Sequence, residues 1–133
     1  MRAHFRSVRQ QISKDNFLSE CRKISARVAA VPQLLEANTI LSYWPKLDAY
    51  ELDLRPLNCW MRARGCTVLL PIIEPNSGVS RMHMGQFDHE RSFISNRWGI
   101  LEPQEHMAIS SKKIDVVLVP GLGFDKIGHR IGY

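Results

Sequence analysis

Three short apolar runs constrain this chain most: residues 39–43 (TILSY), 67–73 (TVLLPII) and 115–119 (DVVLV). Each is too short for a buried helix and the set is rich in β-branched residues, which reads as strand. They alternate with longer segments of helical spacing. That alternation predicts layers of helix and sheet. The last run is bounded by Pro120 and Gly121 and has no polar alternation, so it predicts a strand buried on both faces, as in a parallel sheet.

Between the strands, residues 4–30 carry helical spacing, with Phe5, Val8 and Ile12 on one stripe and Ile24, Val28 and Val31 on another. The cluster Ser13-Lys-Asp-Asn16 marks an interruption, with Asp15 or Asn16 starting a second helix, and Pro32 ends the region. Residues 53–64 read as an amphipathic helix stopped by Gly65. Pro71 is expected near the end of its strand, where a missing donor costs little. Residues 79–87 (VSRMHMGQF) read as an edge strand or hairpin after a turn at 76–78.

The final strand runs into a loop holding Gly121, Gly123, Gly128 and Gly132 together with Asp125, Lys126, His129 and Arg130. Open α/β sheets bind ligands at the carboxyl ends of their strands. Neither standard nucleotide fingerprint is met. Lys126 stands where G-x-G-x-x-G needs its third glycine, and His129 stands where a P-loop needs lysine. On local pattern two readings stay open, a ligand loop or glycines that merely make a turn.

Composition narrows the field. The chain has 133 residues, enough for one domain, with 44% apolar content. No apolar run approaches the ~20 residues of a membrane span. The start, MRAHFRSVRQQ, lacks the apolar core of a signal peptide, so cytoplasmic residence is the default expectation. Cys21, Cys59 and Cys66 form no C-x-x-C pair and are expected as reduced, packed thiols. A net charge of +5 favours anionic partners without choosing among them. Arg2, Arg6 and Arg9 share a helix face, either as a solvated stripe or as an anion contact.

The segment from Pro120 to Gly132, PGLGFDKIGHRIG, resembles the signature of the 5-formyltetrahydrofolate cyclo-ligase (methenyltetrahydrofolate synthetase) family, PGLAFD-x-x-G-x-R-L-G. Further elements agree in order. Arg2-Ala-His-Phe-Arg6 is similar to the family's K-x-x-L-R, Glu51-Leu-Asp53 to E-[VI]-[DE], Leu70-Pro71 to an LP pair, and residues 98–103 (WGILEP) to GI-x-EP. Arg2 replaces the usual lysine. The family pattern continues into a glycine-rich GYYD stretch with a metal-ligand aspartate, whereas this sequence stops at Tyr133. The resemblance thus implies one domain over 1–133, C-terminally truncated: a layered α/β/α sandwich with a mostly parallel central sheet, Rossmann-like.

The activity implied is ATP-dependent closure of 5-formyltetrahydrofolate to 5,10-methenyltetrahydrofolate, with Mg2+ accompanying ATP. Carried over by position, Arg2, Arg6, Arg130, Ile131, Gly132 and Tyr133 fall at ATP, with Arg130 the catalytic cation. Asp48, Glu51, Asp53, Trp98 and Tyr133 fall at the folate. No metal ligand is assigned. His129 is not required by the family pattern. Each assignment has a structural counterpart: Asp53 makes a good helix N-cap, and Tyr43, Trp44 and Trp98 suit a core. Met82, His83 and Met84 alternate faces and read as packing residues rather than a shared metal site. The stop at Tyr133 also predicts an exposed apolar sheet edge able to support oligomers. Two other classes remain as alternatives, a non-catalytic remnant that binds folate or nucleotide and, from charge alone, a basic RNA-binding module. No nucleic acid or membrane partner is expected from the resemblance.

Overall fold

The computed structural model describes residues 1–74 and 81–132. The N-terminal helical stretch is two helices, α1 (Arg2–Gln10) and α2 (Lys14–Ala29). Ser13 caps α2, its hydroxyl accepting from the Asn16 N–H at 3.3 Å, so the second helix starts earlier than Asp15. Pro32 does not end the helical region; it opens a short third helix, α3 (Pro32–Glu36). At a first helical position the missing N–H has no helical partner to lose. A fourth helix, α4 (Arg55–Ala63), stops at Gly65, whose φ of +88° suits glycine. The Gly65 and Cys66 N–H groups close that end on the carbonyls of Arg62 and Met61, at 2.9 and 3.1 Å.

The strands are β1 (Thr39–Leu41), β2 (Thr67–Glu74), β3 (Arg81–Gln86), β4 (Phe93–Ser95), β5 (Leu101–Pro103), β6 (Val116–Val117), β7 (Gly123–Phe124) and β8 (Arg130–Ile131). The main sheet has the order β3-β2-β1-β6. Strand β1 lies between β2 and β6 and is parallel to both, with Thr39 opposite Thr67 and Ile40 opposite Val116. Strand β3 pairs antiparallel with β2, from Leu69 opposite Gln86 to Glu74 opposite Arg81. The domain is mixed α/β with a mostly parallel central sheet, as the sequence implied. The edge strand expected over 79–87 is β3; the turn expected at 76–78 lies outside the described residues.

Pro71 sits inside β2 rather than at its end. The Phe87 N–H donates to the Val68 carbonyl at 2.8 Å, so by alternation position 71 turns its nitrogen away from β3. On that other side the β1 ladder ends as the Ser42 N–H reaches the Leu69 carbonyl, and no donor is demanded of residue 71.

One face of the sheet holds Ile40, Val68 and Leu70, all at most 1% exposed, packed with Leu34 of α3 and Leu57 and Met61 of α4. Tyr43 and Trp44 join this core as expected, with Phe87 beside them, whereas Trp98 is 40% exposed and does not. Asn58 of α4 is fully buried within it: its Oδ1 accepts from the Ser42 hydroxyl at 2.7 Å and its Nδ2 donates to the Tyr43 carbonyl at 3.2 Å. Each polar atom is thereby satisfied, and the helix is tied to the chain just after β1.

The 116–119 run departs from its expected double burial. Val117 is 51% and Val119 50% exposed, because among the described residues β6 is an edge strand paired with β1 alone. The apolar sheet edge expected from the sequence is present in the described residues. Met82 is also exposed, at 62%, and so is not the packing residue its neighbours suggested.

Candidate functional site

Beyond the carboxyl ends of β1 and β6, where open sheets place ligands, two long connections leave the sheet. After β1 the chain runs through Trp44 into a 3-10 turn at Leu47–Ala49. Tyr50 follows with φ +53°, a left-handed conformation unusual for a side-chain-bearing residue. Glu51 closes this loop, its Oε2 accepting from the Lys46 N–H at 2.8 Å. Asp53 is gripped by Arg55, with Nε–Oδ1 at 2.9 Å, Nη2–Oδ2 at 2.8 Å, and the Arg55 backbone N–H on Oδ1 at 3.1 Å. The N-cap position of α4 is Leu54, so Asp53 serves the helix start from one residue earlier than expected. The Arg55 side-chain hydrogen bond lowers the Asp53 pKa, outweighing the opposing effect of burial.

After β6 the closing loop folds into the β7–β8 hairpin, with Gly123 opposite Ile131 and Phe124 opposite Arg130. Asp125 organises its tip. Oδ1 accepts from the Ile127 and His129 N–H groups at 3.0 and 2.8 Å, and Oδ2 meets His129 Nδ1 at 2.8 Å. Burial would raise the Asp125 pKa, but these hydrogen bonds bring it below the ordinary carboxylate range. Gly128 completes the turn with φ +90°. Arg130 donates from Nη1 to the Pro120 carbonyl at 2.7 Å, while the Ile131 carbonyl accepts from the Leu122 N–H at 2.7 Å.

Helix α1 joins the two connections. The Phe5 ring lies so close to Gly123 that a Cβ there would stand 2.8 Å from Cε1. Arg9 donates to the Gly121 carbonyl of the closing loop and, at 3.4 Å, to the Tyr50 carbonyl of the other. A third segment is tied in by Lys46, whose ammonium donates to the Trp98 carbonyl at 3.0 Å. Trp98 is 40% exposed, with the Arg97 guanidinium 4.2 Å from its ring centre.

Of the residues singled out in the sequence, Arg2, Arg6 and Asp48 are exposed and make no hydrogen bond or ion pair among the described residues. Asp48 borders a cleft of about 260 Å3 with Lys46, Arg55 and Gly99. Glu51 and Asp53 are engaged in their own loop. Gly132 is half-buried after β8, and Tyr133 lies outside the described residues. Sequence reasoning overlooked Arg9 as the bridging arginine, although its position at i, i+7 from Arg2 placed it on the same helix face. It also did not single out Glu102 of the GI-x-EP element, which the structure buries in β5 at 3% exposure.

Sequence comparison decides what this arrangement belongs to. The profile of the 5-formyltetrahydrofolate cyclo-ligase family matches residues 1–133. The chain belongs to that family. It is 26% identical over 113 residues to the 5-formyltetrahydrofolate cyclo-ligase of Escherichia coli (strain K12), covering 84% of this chain and 60% of that protein. The chain therefore spans less than two thirds of the length of this cyclo-ligase relative. Two solved structures share the fold. The NMR structure of Aquifex aeolicus 5,10-methenyltetrahydrofolate synthetase superposes with a TM-score of 0.83 at 23% identity, over 99% of this chain and 64% of that one. A 5,10-methenyltetrahydrofolate synthetase from Mycoplasma pneumoniae gives 0.71 at 17% identity, over 99% and 68%.

Within the cyclo-ligase family frame, the described residues contain no group of three or more His, Cys, Asp or Glu side chains placed to hold a metal ion. Nor is any helix of the described residues long and apolar enough to cross a membrane.

Proposed function

We propose that this chain carries out its family's reaction, ATP-dependent cyclisation of 5-formyltetrahydrofolate to 5,10-methenyltetrahydrofolate with release of ADP and phosphate. The observation that carries this reading is the convergence at Arg9: one guanidinium holds the closing loop through Gly121 and the acidic 46–53 loop through Tyr50. The resemblance assigns the first of these loops to ATP and the second to the folate, so the two substrates meet beside α1.

The chemistry asks for positioning and positive charge rather than covalent help. The formyl oxygen forms a bond to the γ-phosphorus as the bond from that phosphorus to the bridging oxygen breaks, its electron pair leaving with ADP. The N10 lone pair then attacks the formyl carbon. The carbon–oxygen bond breaks, phosphate departs with that pair, and N10 releases its proton to water.

Arg130 is the cation proposed to face the transferring phosphoryl group. One of its five N–H donors is spent on Pro120, and the planar fork leaves others for phosphate oxygens. Arg2 and Arg6, exposed on α1, supply further positive charge to the phosphates. The described residues do not form a ligand set for Mg2+, so no step is assigned to a metal held by this chain; Mg2+ is proposed to arrive on ATP, as that ion commonly does. Glu51 and Asp48 are proposed to face the folate.

Mixing the purified chain with 5-formyltetrahydrofolate and Mg-ATP tests the reading. An ATP-dependent rise in methenyl absorbance, matched by phosphate release, is the expected result. Folate binding without turnover at high protein concentration points instead to a binding remnant. Salt-sensitive RNA binding that neither substrate displaces favours the third class.

A further inference from the structure

Glu102 is 3% exposed, a buried carboxylate in β5 that the functional reading does not use. Burying such a group is costly unless its oxygens find donors. One oxygen has them. Oε1 accepts from the Ile73 N–H at 3.2 Å and from Asn96 Nδ2 at 2.6 Å. The other, Oε2, takes no hydrogen bond from the described residues, yet none of their buried side-chain oxygens is left without a partner. Oε2 is therefore accessible from the cavity that Glu102 lines. That cavity measures about 270 Å3, and its walls include Ile72, Ile73, Ile94, Trp98 and His106.

The same network fixes the aromatic wall. Asn96, held by Glu102, accepts on Oδ1 from the Trp98 and Ile100 N–H groups at 2.9 and 3.0 Å. Gly99, with φ +73°, completes the turn. The outcome is a slot lined by isoleucines and by the Trp98 indole, which carries the Arg97 guanidinium against its ring, with the exposed Glu74 at the rim and one oxygen of the buried Glu102 free to accept. Its volume falls just below the roughly 300–1,000 Å3 of ligand pockets, suited to a fused ring rather than a whole substrate with its tail.

The geometry points to Glu102 as a specificity-determining residue that accepts an N–H from the aminopyrimidine edge of the pterin. This rests on the functional reading above and deepens it by naming a recognition group. A pterin offers a flat ring for Trp98 and amide-type and amino donors for Oε2. Asp53 cannot serve equally well, since both its oxygens are held by Arg55. A site built around a buried acceptor also rejects rings lacking the donor, because the carboxylate would then be desolvated without a partner.

Glu102→Gln separates recognition from support of the turn. The glutamine oxygen still accepts from Ile73 and Asn96, whereas its NH2 replaces the free acceptor with a donor. Calorimetry should show 5-formyltetrahydrofolate binding weakened at least tenfold, with ATP affinity and melting temperature retained. A change under threefold in a folded variant overturns the inference. Should the variant fail to fold, the unmodified chain decides: a 2-desamino analogue of 5-formyltetrahydrofolate should bind at least tenfold more weakly, and binding within threefold overturns the proposal. Failure of the unmodified chain to bind 5-formyltetrahydrofolate at all overturns the functional reading itself, which is a different result from normal folate binding that ignores Glu102.

Discussion

The attachment of α1 to the closing loop is open to a one-methyl perturbation, Gly123→Ala. Gly123 does not have a left-handed φ, so alanine is acceptable to the backbone and the effect is steric. The added Cβ would stand 2.8, 3.1 and 3.2 Å from three Phe5 ring atoms, so the ring must retreat by about 0.6 Å to restore ordinary contact. Overpacking of this kind costs about 1–3 kcal/mol. Helix α1 has no buried residue to resist the push. Its hold includes the Phe5 contact and the Arg9 hydrogen bonds, so the strain is released by undocking the helix rather than by distorting the sheet. The docked-to-undocked ratio should fall by about 5- to 150-fold. Hydrogen exchange read at the α1 amides should show that loss of protection, with ATP affinity weakened alongside it. The main sheet and α4 should keep theirs. Unchanged α1 protection would refute the docking argument, as would a loss of protection spread evenly through the sheet.

Two further outcomes follow from the packing. Asn58→Ala leaves the Ser42 hydroxyl and the Tyr43 carbonyl without their buried partner, and should destabilise by about 2–4 kcal/mol in urea denaturation; a loss under about 0.5 kcal/mol would contradict the network. Asp53 has its folded pKa lowered by Arg55, so its contribution is fully present above the unfolded value near 4 and is lost as pH falls through the folded value. Asp53→Asn should therefore lower stability at pH 7 and flatten the acid limb of the stability profile below about pH 4, whereas an unaltered acid limb would sink that assignment.

Much of the fold was legible because it rests on local rules. The apolar runs marked β1, β2 and β6, Gly65 marked the end of α4, and the Ser13 cluster marked the break between α1 and α2. What escaped depends on tertiary arrangement. An apolar run such as 116–119 shows that a strand forms, but not whether it lies in the middle or at the edge of a sheet. The three-residue strands β4 and β5 are too short for any period to show. Pro32 reads equally as a stop or as a first helical residue, and the next turn decides. At the site, position in a motif flagged Glu51 and Asp53, but not that each also accepts hydrogen bonds within its own loop. Arg9 and Glu102 stood in plain view as an ordinary cation and an ordinary acid. Only the folded chain shows one bridging two loops and the other buried with one oxygen accepting two donors.

The most direct test of the proposed chemistry follows a single oxygen atom. With 5-formyltetrahydrofolate labelled by 18O at the formyl oxygen, and Mg-ATP in excess, the phosphate released by the purified chain is analysed by mass spectrometry. Attack of the formyl oxygen on the γ-phosphorus predicts one labelled oxygen in phosphate for each methenyl product formed. Unlabelled phosphate accompanying methenyl formation, or ATP-dependent methenyl formation with no phosphate at all, would contradict it.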